Sequence, residues 1–161
     1  NKISQEGLNK LLEYSSSINI SILIENHGGY SADGSWLVNL IKSINHQYLG
    51  TLPDFGTSNF CIERSPLSQN VFDYNGKCVN QYDKYKGVEQ MLPFAKGISA
   101  KSISFDKNGE EVNTDFGRMI SLIKSYNFKG FMSIEYEGAF SGYLDNHDGI
   151  LATKKLIEKY L

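Results

Sequence analysis

An apolar stretch that ends in a carboxylate, residues 18–25 (INISILIE), is the feature that most constrains how this chain folds. Its isoleucines and leucine are typical of a buried strand, and the Asn-His-Gly-Gly sequence that follows is typical of a loop. The strand is therefore predicted to deliver Glu25 and His27 to a loop. An ionised carboxylate at such a position needs a partner, a cation or water, because isolating it from all three costs several kcal/mol of folding free energy.

A short strand carrying a charged side chain recurs along the chain. Three further strands are predicted at residues 48–54 (YLGTLPD), 97–105 (GISAKSISF) and 131–135 (FMSIE). The first of these ends in Asp54, the second contains Lys101, and the third ends in Glu135. Four strands that each bring a charged group predict one shared site.

Helices are predicted before the first strand and after each of the four, because apolar residues there recur at three-to-four spacing. They cover residues 5–16, 35–44, 82–92, 114–123 and 150–160, with Ser35 and Thr114–Asp115 as helix starts. Alternating strands and helices predict right-handed crossovers and a parallel sheet, within a single domain over residues 1–161. Ligands bind at the carboxyl ends of such strands, which is where the four charged groups fall.

Residues 55–80 show no regular period and are predicted to form a long binding loop or lid. Cys61 and Cys78 lie within it, without CxxC spacing or a neighbouring histidine. A reduced pair is the favoured interpretation, with a disulfide as the alternative in an exported protein. The cytoplasm is accordingly the favoured location, and export stays open because the sequence begins at Asn1.

The composition excludes several classes of partner. The 161 residues are 40% hydrophobic and 21% charged, as expected for a globular domain with a sizeable core. A net charge of -2 and a pI of about 5.9 argue against a nucleic-acid surface. No apolar run approaches the roughly 20 residues of a membrane span. A small-molecule partner is therefore expected, with neither nucleic acid nor a membrane.

Five motifs in order resemble the sugar phosphate isomerase/epimerase branch of the xylose isomerase-like TIM-barrel superfamily. They are IENHGG, GTLPDFG, YDKYKG, AKGISAKS and SIEYEG. The resemblance covers nearly the whole chain and corresponds to the second half of such a barrel, strands five to eight. It implies an α/β fold of parallel (β/α) units, about half a TIM barrel, in a fragment that lacks the N-terminal half.

Half a barrel exposes two sheet edges, so the resemblance also implies a polypeptide partner. The alternatives are a homodimer of half-barrels that complete each other and a truncated or proteolysed protein whose N-terminal half-barrel is missing. An open flavodoxin-like sheet is the alternative fold.

The resemblance further implies a divalent metal, Mn²⁺, Mg²⁺ or Zn²⁺, held by Glu25, Asp54 and Glu135. Ser99 and Thr57 stand where many members of the family have histidines. His27 lies two residues after Glu25 and is the candidate to replace a missing ligand.

The implied activity is that of a metal-dependent isomerase or epimerase of a sugar, sugar phosphate or cyclitol, which moves a proton through an enediolate. Glu25 and Glu135 are the candidate acid and base, and Lys101 is the candidate to stabilise the oxyanion. A catalytically inactive carbohydrate-binding barrel is the alternative that the missing histidines suggest. An abasic-site endonuclease of the same superfamily is less favoured, because its metal centre needs more than the three histidines present.

Overall fold

The computed structural model describes residues 2–65, 76–141 and 143–161. The helices are α1 (Lys2–Ser17), α2 (Gly34–Ile44), α3 (Lys84–Met91), α4 (Phe116–Ser125) and α5 (Asn146–Tyr160). The strands are β1 (Ile22–Glu25), β2 (Leu49–Leu52), β3 (Cys61–Arg64), β4 (Cys78–Gln81), β5 (Gly97–Ser102) and β6 (Phe131–Tyr136). Within these residues, no helix has both the length and the apolar character needed to cross a membrane.

Four of the strands run parallel to one another. β1 pairs with β2, and β5 pairs with β6, in parallel ladders. Parallel bridges from Thr51 to Ala95 and from Asp54 to Ser99 join β2 to the β5 segment. The resulting order β1–β2–β5–β6 confirms the predicted parallel sheet and brings the four carboxyl ends to one edge.

Alternation along β5 divides its side chains between the core and the opposite face of the sheet. Ile98 and Ala100 are buried in the main hydrophobic cluster, among residues of α2, α3 and α4. Ser99 and Lys101 occupy the alternate positions and are only 2% and 1% exposed. The face away from the helices is therefore enclosed as well, and it is polar.

The segment predicted as a loop over residues 55–80 contains an antiparallel hairpin. β3 pairs with β4, with Cys61 opposite Gln81 and Arg64 opposite Cys78. The two cysteines are joined in a disulfide, with their Cα atoms 5.8 Å apart. The prediction of a reduced pair was therefore wrong, because the hairpin brings together cysteines that lie 17 residues apart. Residues 66–75 of the predicted loop lie outside the described residues.

The ends of several elements differ from their predicted positions. Asp33, not Ser35, caps α2, because its carboxylate accepts hydrogen bonds from the N–H groups of Ser35 and the next residue. β1 begins at Ile22 rather than residue 18, because the chain turns at Asn19, where φ is 57°. Asp115 caps α4 as predicted.

β1 and β6 are the outer strands of the parallel sheet. In the described part of the chain, neither pairs with a strand on its outer side. Phe131 on β6 is 90% exposed. Unpaired strand edges with exposed apolar residues are usually covered in a folded protein, so these two edges are candidate contact surfaces.

Candidate active site

Three carboxylates from different strands meet at the carboxyl edge of the sheet. Glu25 is the last residue of β1, Asp54 lies two residues beyond β2, and Glu135 belongs to β6. One carboxylate oxygen of each lies within 4.8 Å of those of the other two. Because β1 and β6 are the outer strands, the sheet must curve strongly to bring these side chains together.

Lys101 lies in the middle of this acidic group. Its Nζ is 3.0 Å from Oε1 of Glu135, 3.1 Å from Oε1 of Glu137 and 3.7 Å from Oδ2 of Asp54. Burial acts to lower the pKa of Lys101, but Asp54 and Glu135 outweigh burial and raise it. The lysine therefore stays protonated and supplies one positive charge to the site.

Asp54 is the most enclosed of the three carboxylates. It is fully buried, and its Oδ1 accepts a hydrogen bond from the Gly56 N–H at 2.6 Å. Among residues 2–65, 76–141 and 143–161, its Oδ2 has no hydrogen-bond partner. Burial raises the pKa of Asp54 to about 8, although Lys101 and the Gly56 N–H oppose this shift. A buried carboxylate oxygen in this state needs a proton or a cation.

Glu135 is held from two sides and remains accessible. The Ser99 hydroxyl donates a hydrogen bond to its Oε2 at 2.7 Å, and Lys101 contacts its Oε1. Burial acts to raise the pKa of Glu135, but the Ser99 hydrogen bond and Lys101 outweigh burial and lower it. Its side chain is 37% exposed, so an ionised carboxylate faces the open side of the site.

His27 lies outside the carboxylate cluster. It is exposed, and its backbone N–H donates a hydrogen bond to the Ser31 hydroxyl. The alternation of β1 ends at Glu25, and the chain then turns at Gly28 and Gly29, where φ is 80° and 56°. The structure thus brings the three predicted carboxylates and Lys101 together, but it does not bring His27 to them.

Two residues that the sequence did not single out as site residues support these groups. Glu137 accepts a hydrogen bond from Lys101, and its backbone N–H donates to the Ser102 carbonyl. Asn26 is fully buried, and its side chain hydrogen-bonds to the backbone of Asp54. In the sequence, Asn26 stands out only because it lies between the acid that ends a strand and a pair of glycines. Such a pattern is common in loops.

Comparison by sequence identifies no relative. No family model matches the chain, and no curated protein matches it.

Solved structures share its fold. A D-allulose 3-epimerase from Methylomonas sp. is 15% identical with a TM-score of 0.66, over 98% of this chain and 55% of the epimerase. The probable 3-DHS dehydratase AsbF of Bacillus anthracis, involved in petrobactin synthesis, is 16% identical with a TM-score of 0.61, over 96% of this chain and 56% of AsbF. An uncharacterised protein from Parabacteroides distasonis is 16% identical with a TM-score of 0.56, over 96% of this chain and 55% of that protein.

The epimerase and the dehydratase have the TIM-barrel fold. The chain spans about half the length of each of these structures. The similarity therefore establishes the fold: an α/β arrangement of parallel strands like that in part of a TIM barrel.

Proposed function

We propose that this chain forms the C-terminal half, strands five to eight, of a metal-dependent sugar isomerase or epimerase. The observation that carries the proposal is the cluster of Glu25, Asp54 and Glu135, which includes a buried oxygen with no hydrogen-bond partner. The solved structures support the proposal, because a sugar epimerase and a dehydratase share this fold. The substrate class is a small carbohydrate.

The donor set fits a divalent metal. Carboxylate oxygens are the hard ligands that Mg²⁺ and Mn²⁺ prefer, and Zn²⁺ also accepts them. Glu25, Asp54 and Glu135 would hold the ion, and the Oδ2 of Asp54, which makes no hydrogen bond within the described part of the chain, is the ligand atom that we propose first. Such a metal, when bound, polarises the carbonyl and neighbouring hydroxyl of a sugar and acidifies the C–H bond between them.

Exposure assigns different roles to the three carboxylates. Asp54 is fully buried and serves only to bind, whereas Glu25 and Glu135 are partly exposed and can reach a substrate. One of these two glutamates removes the proton next to the carbonyl, and the other returns a proton to the opposite face of the enediolate. Lys101, held beside Glu135, stabilises the negative charge that develops on oxygen.

The polypeptide partner that we propose is the other half of the barrel. The outer edges of β1 and β6 have the same strand direction, so a further set of parallel (β/α) units can pair with both and close the barrel. Either a second copy of this chain or an N-terminal half in a longer protein meets this requirement. Light scattering on the full chain separates the two, since the first predicts a dimer.

Solvent proton exchange tests the reaction directly. The full chain is stripped with a chelator, reloaded with Mn²⁺ and incubated with a panel of ketohexoses in D₂O. We expect deuterium to enter the carbon next to the carbonyl, and we expect Glu135→Gln to abolish formation of the epimer, because Glu25 alone moves protons on only one face of the sugar. Nuclear magnetic resonance of the sugar measures the incorporation.

A second acidic group provides a matched control for the metal. Asp145, His147 and Asp148 also lie close enough to share an ion, but all three are exposed. Asp148→Asn should therefore leave the Mn²⁺ content and the exchange rate unchanged. A Glu135→Gln protein that still forms the epimer, or a wild-type protein with neither Mn²⁺ nor exchange, contradicts the proposal.

One observation favours a second function, a carbohydrate-binding barrel that uses no metal. Lys101 already places a cation against two of the three carboxylates, and Ser99 occupies one oxygen of Glu135. Sugar binding in calorimetry that is unaffected by chelator, without deuterium exchange, would favour this function over the enzyme.

A further inference from the structure

Asn26 connects two of the site carboxylates through the protein interior. It directly follows Glu25 in the chain, and its side chain is fully buried. Its Oδ1 accepts a hydrogen bond from the Asp54 N–H at 2.8 Å, and its Nδ2 donates one to the Asp54 carbonyl at 3.2 Å. Both backbone polar groups of Asp54 are thus bound by one amide.

This amide continues the strand pairing where the backbone cannot. The β1–β2 ladder ends with the pair Glu25–Leu52, and Pro53 follows with no N–H to donate. On its other side, the segment is held by β5, because the Ser99 N–H donates to the Pro53 carbonyl and the Phe55 N–H donates to the Ser99 carbonyl. On the β1 side, the side chain of Asn26 therefore supplies the hydrogen bonds to the Asp54 backbone that the β1 backbone does not make.

We infer that Asn26 is a positioning residue that fixes the separation of the Glu25 and Asp54 carboxylates, and this inference rests on the proposed metal site. An amide is required, because an aspartate lacks the donor for the Asp54 carbonyl and adds another buried carboxylate next to Asp54. A leucine of similar size makes neither hydrogen bond and leaves the Asp54 N–H unpaired in the interior.

The test compares Asn26→Leu with Thr51→Val in the full chain. Thr51 is a matched control because it lies on β2 and is also fully buried. Its hydroxyl donates to the Met91 carbonyl and not to the backbone of a site carboxylate. Both variants lose buried hydrogen bonds to the backbone, so both should lower the melting temperature. Only Asn26→Leu should weaken Mn²⁺ binding in calorimetry, by about 10- to 100-fold, as expected when the support of a metal ligand is removed.

Crystal structures of the two metal-free variants give a readout that does not depend on the metal. In the wild type, the Glu25 and Asp54 carboxylate oxygens lie within 4.8 Å of each other. In Asn26→Leu they should separate beyond this distance, and in Thr51→Val they should stay within it. An unchanged separation in Asn26→Leu overturns the inference, as does equal loss of Mn²⁺ affinity in both variants. A wild-type protein that binds no Mn²⁺ contradicts the proposed function alone, and the crystallographic comparison still decides the role of Asn26.

Discussion

Two buried carboxylates in this protein, Asp54 and Glu111, are used in opposite ways. Asp54 is fully buried and accepts one hydrogen bond, from Gly56, while its second oxygen has only the Lys101 ammonium at 3.7 Å and no hydrogen-bond partner among the described residues. Glu111 is 7% exposed, and both of its oxygens accept hydrogen bonds. Its donors are the backbone N–H groups of Ile103, Ser104, Asn113 and Thr114 and the side chain of Asn113.

Under the proposed function, the difference separates a structural acid from one that binds the metal. Glu111 holds the segment between β5 and α4 closed on itself, because backbone N–H groups from both ends of that segment donate to its carboxylate. Asp54 has been taken out of water without equivalent compensation, which costs folding free energy. Such a cost is expected at a carboxylate that binds a metal, which is the role that we propose for Asp54.

The largest effect is expected at Asp54, the carboxylate that would bind the metal. Asp54→Asn should lower Mn²⁺ affinity and turnover by about 100-fold or more, because it removes the buried anionic ligand. Its melting temperature at pH 7 should stay close to that of the wild type, because the pKa of Asp54 is raised to about 8 and the metal-free acid, like asparagine, is uncharged at that pH. Calorimetry and thermal unfolding measure the two properties, and a coupled loss of both would erase the distinction.

Glu111→Gln should show the reverse behaviour. The NH₂ group of the glutamine is a donor, so it cannot accept the hydrogen bonds that backbone N–H groups now donate to one Glu111 oxygen. We therefore expect the free energy of unfolding to fall by about 2–3 kcal/mol. Urea unfolding measures this loss. Mn²⁺ affinity per folded molecule should be unchanged, and a specific loss of affinity would place Glu111 in the site.

The pH dependence of stability sharpens the comparison further. Because the pKa of Asp54 is raised to about 8, the folded protein keeps a proton that the unfolded chain loses near pH 4. The contribution of Asp54 to stability is therefore full below pH 4 and is lost as the pH rises towards 8, by at most about 1.4 kcal/mol per pH unit. Metal-free Asp54→Asn should lack this fall in urea unfolding, whereas Glu111→Gln should retain it.

The smallest effect is expected at the accessible edge of the site. Ser99→Ala removes one hydrogen bond to Glu135, whose partly exposed carboxylate can bind water instead. Turnover efficiency should fall by about fivefold, corresponding to about 1 kcal/mol, with little change in melting temperature. A loss as large as that of Asp54→Asn would show that Ser99 takes part in the chemistry itself.

The sequence predicted the parts of this structure that follow from local pattern. Apolar strands ending in acids predicted the parallel order and the meeting of Glu25, Asp54 and Glu135, because the carboxyl ends of parallel strands share one edge. Lys101 was predicted to share this site, because a charged residue within a predicted strand is unusual. Asp115 as a helix cap was predicted from its position before an apolar stripe.

The remaining features depend on contacts between distant residues, or on backbone angles that composition does not reveal. β3 and β4 are four residues each, and they form because they pair with each other across the segment between Cys61 and Cys78. His27 does not reach the carboxylate cluster, because β1 ends at Glu25 and the chain then turns at Gly28 and Gly29. The partners of Asn26 lie 28 residues away, so its role had no local signature.

The disulfide also determines how the chain behaves when it is cut. Cys61 and Cys78 enclose a covalent ring, and the site residues are divided around it: Glu25 and Asp54 precede the ring, and Glu135 follows it. A protease that cleaves once within the ring produces two polypeptides that stay joined through sulfur. The nicked protein therefore migrates as one species until a reductant is added, and its three carboxylates remain parts of a single molecule.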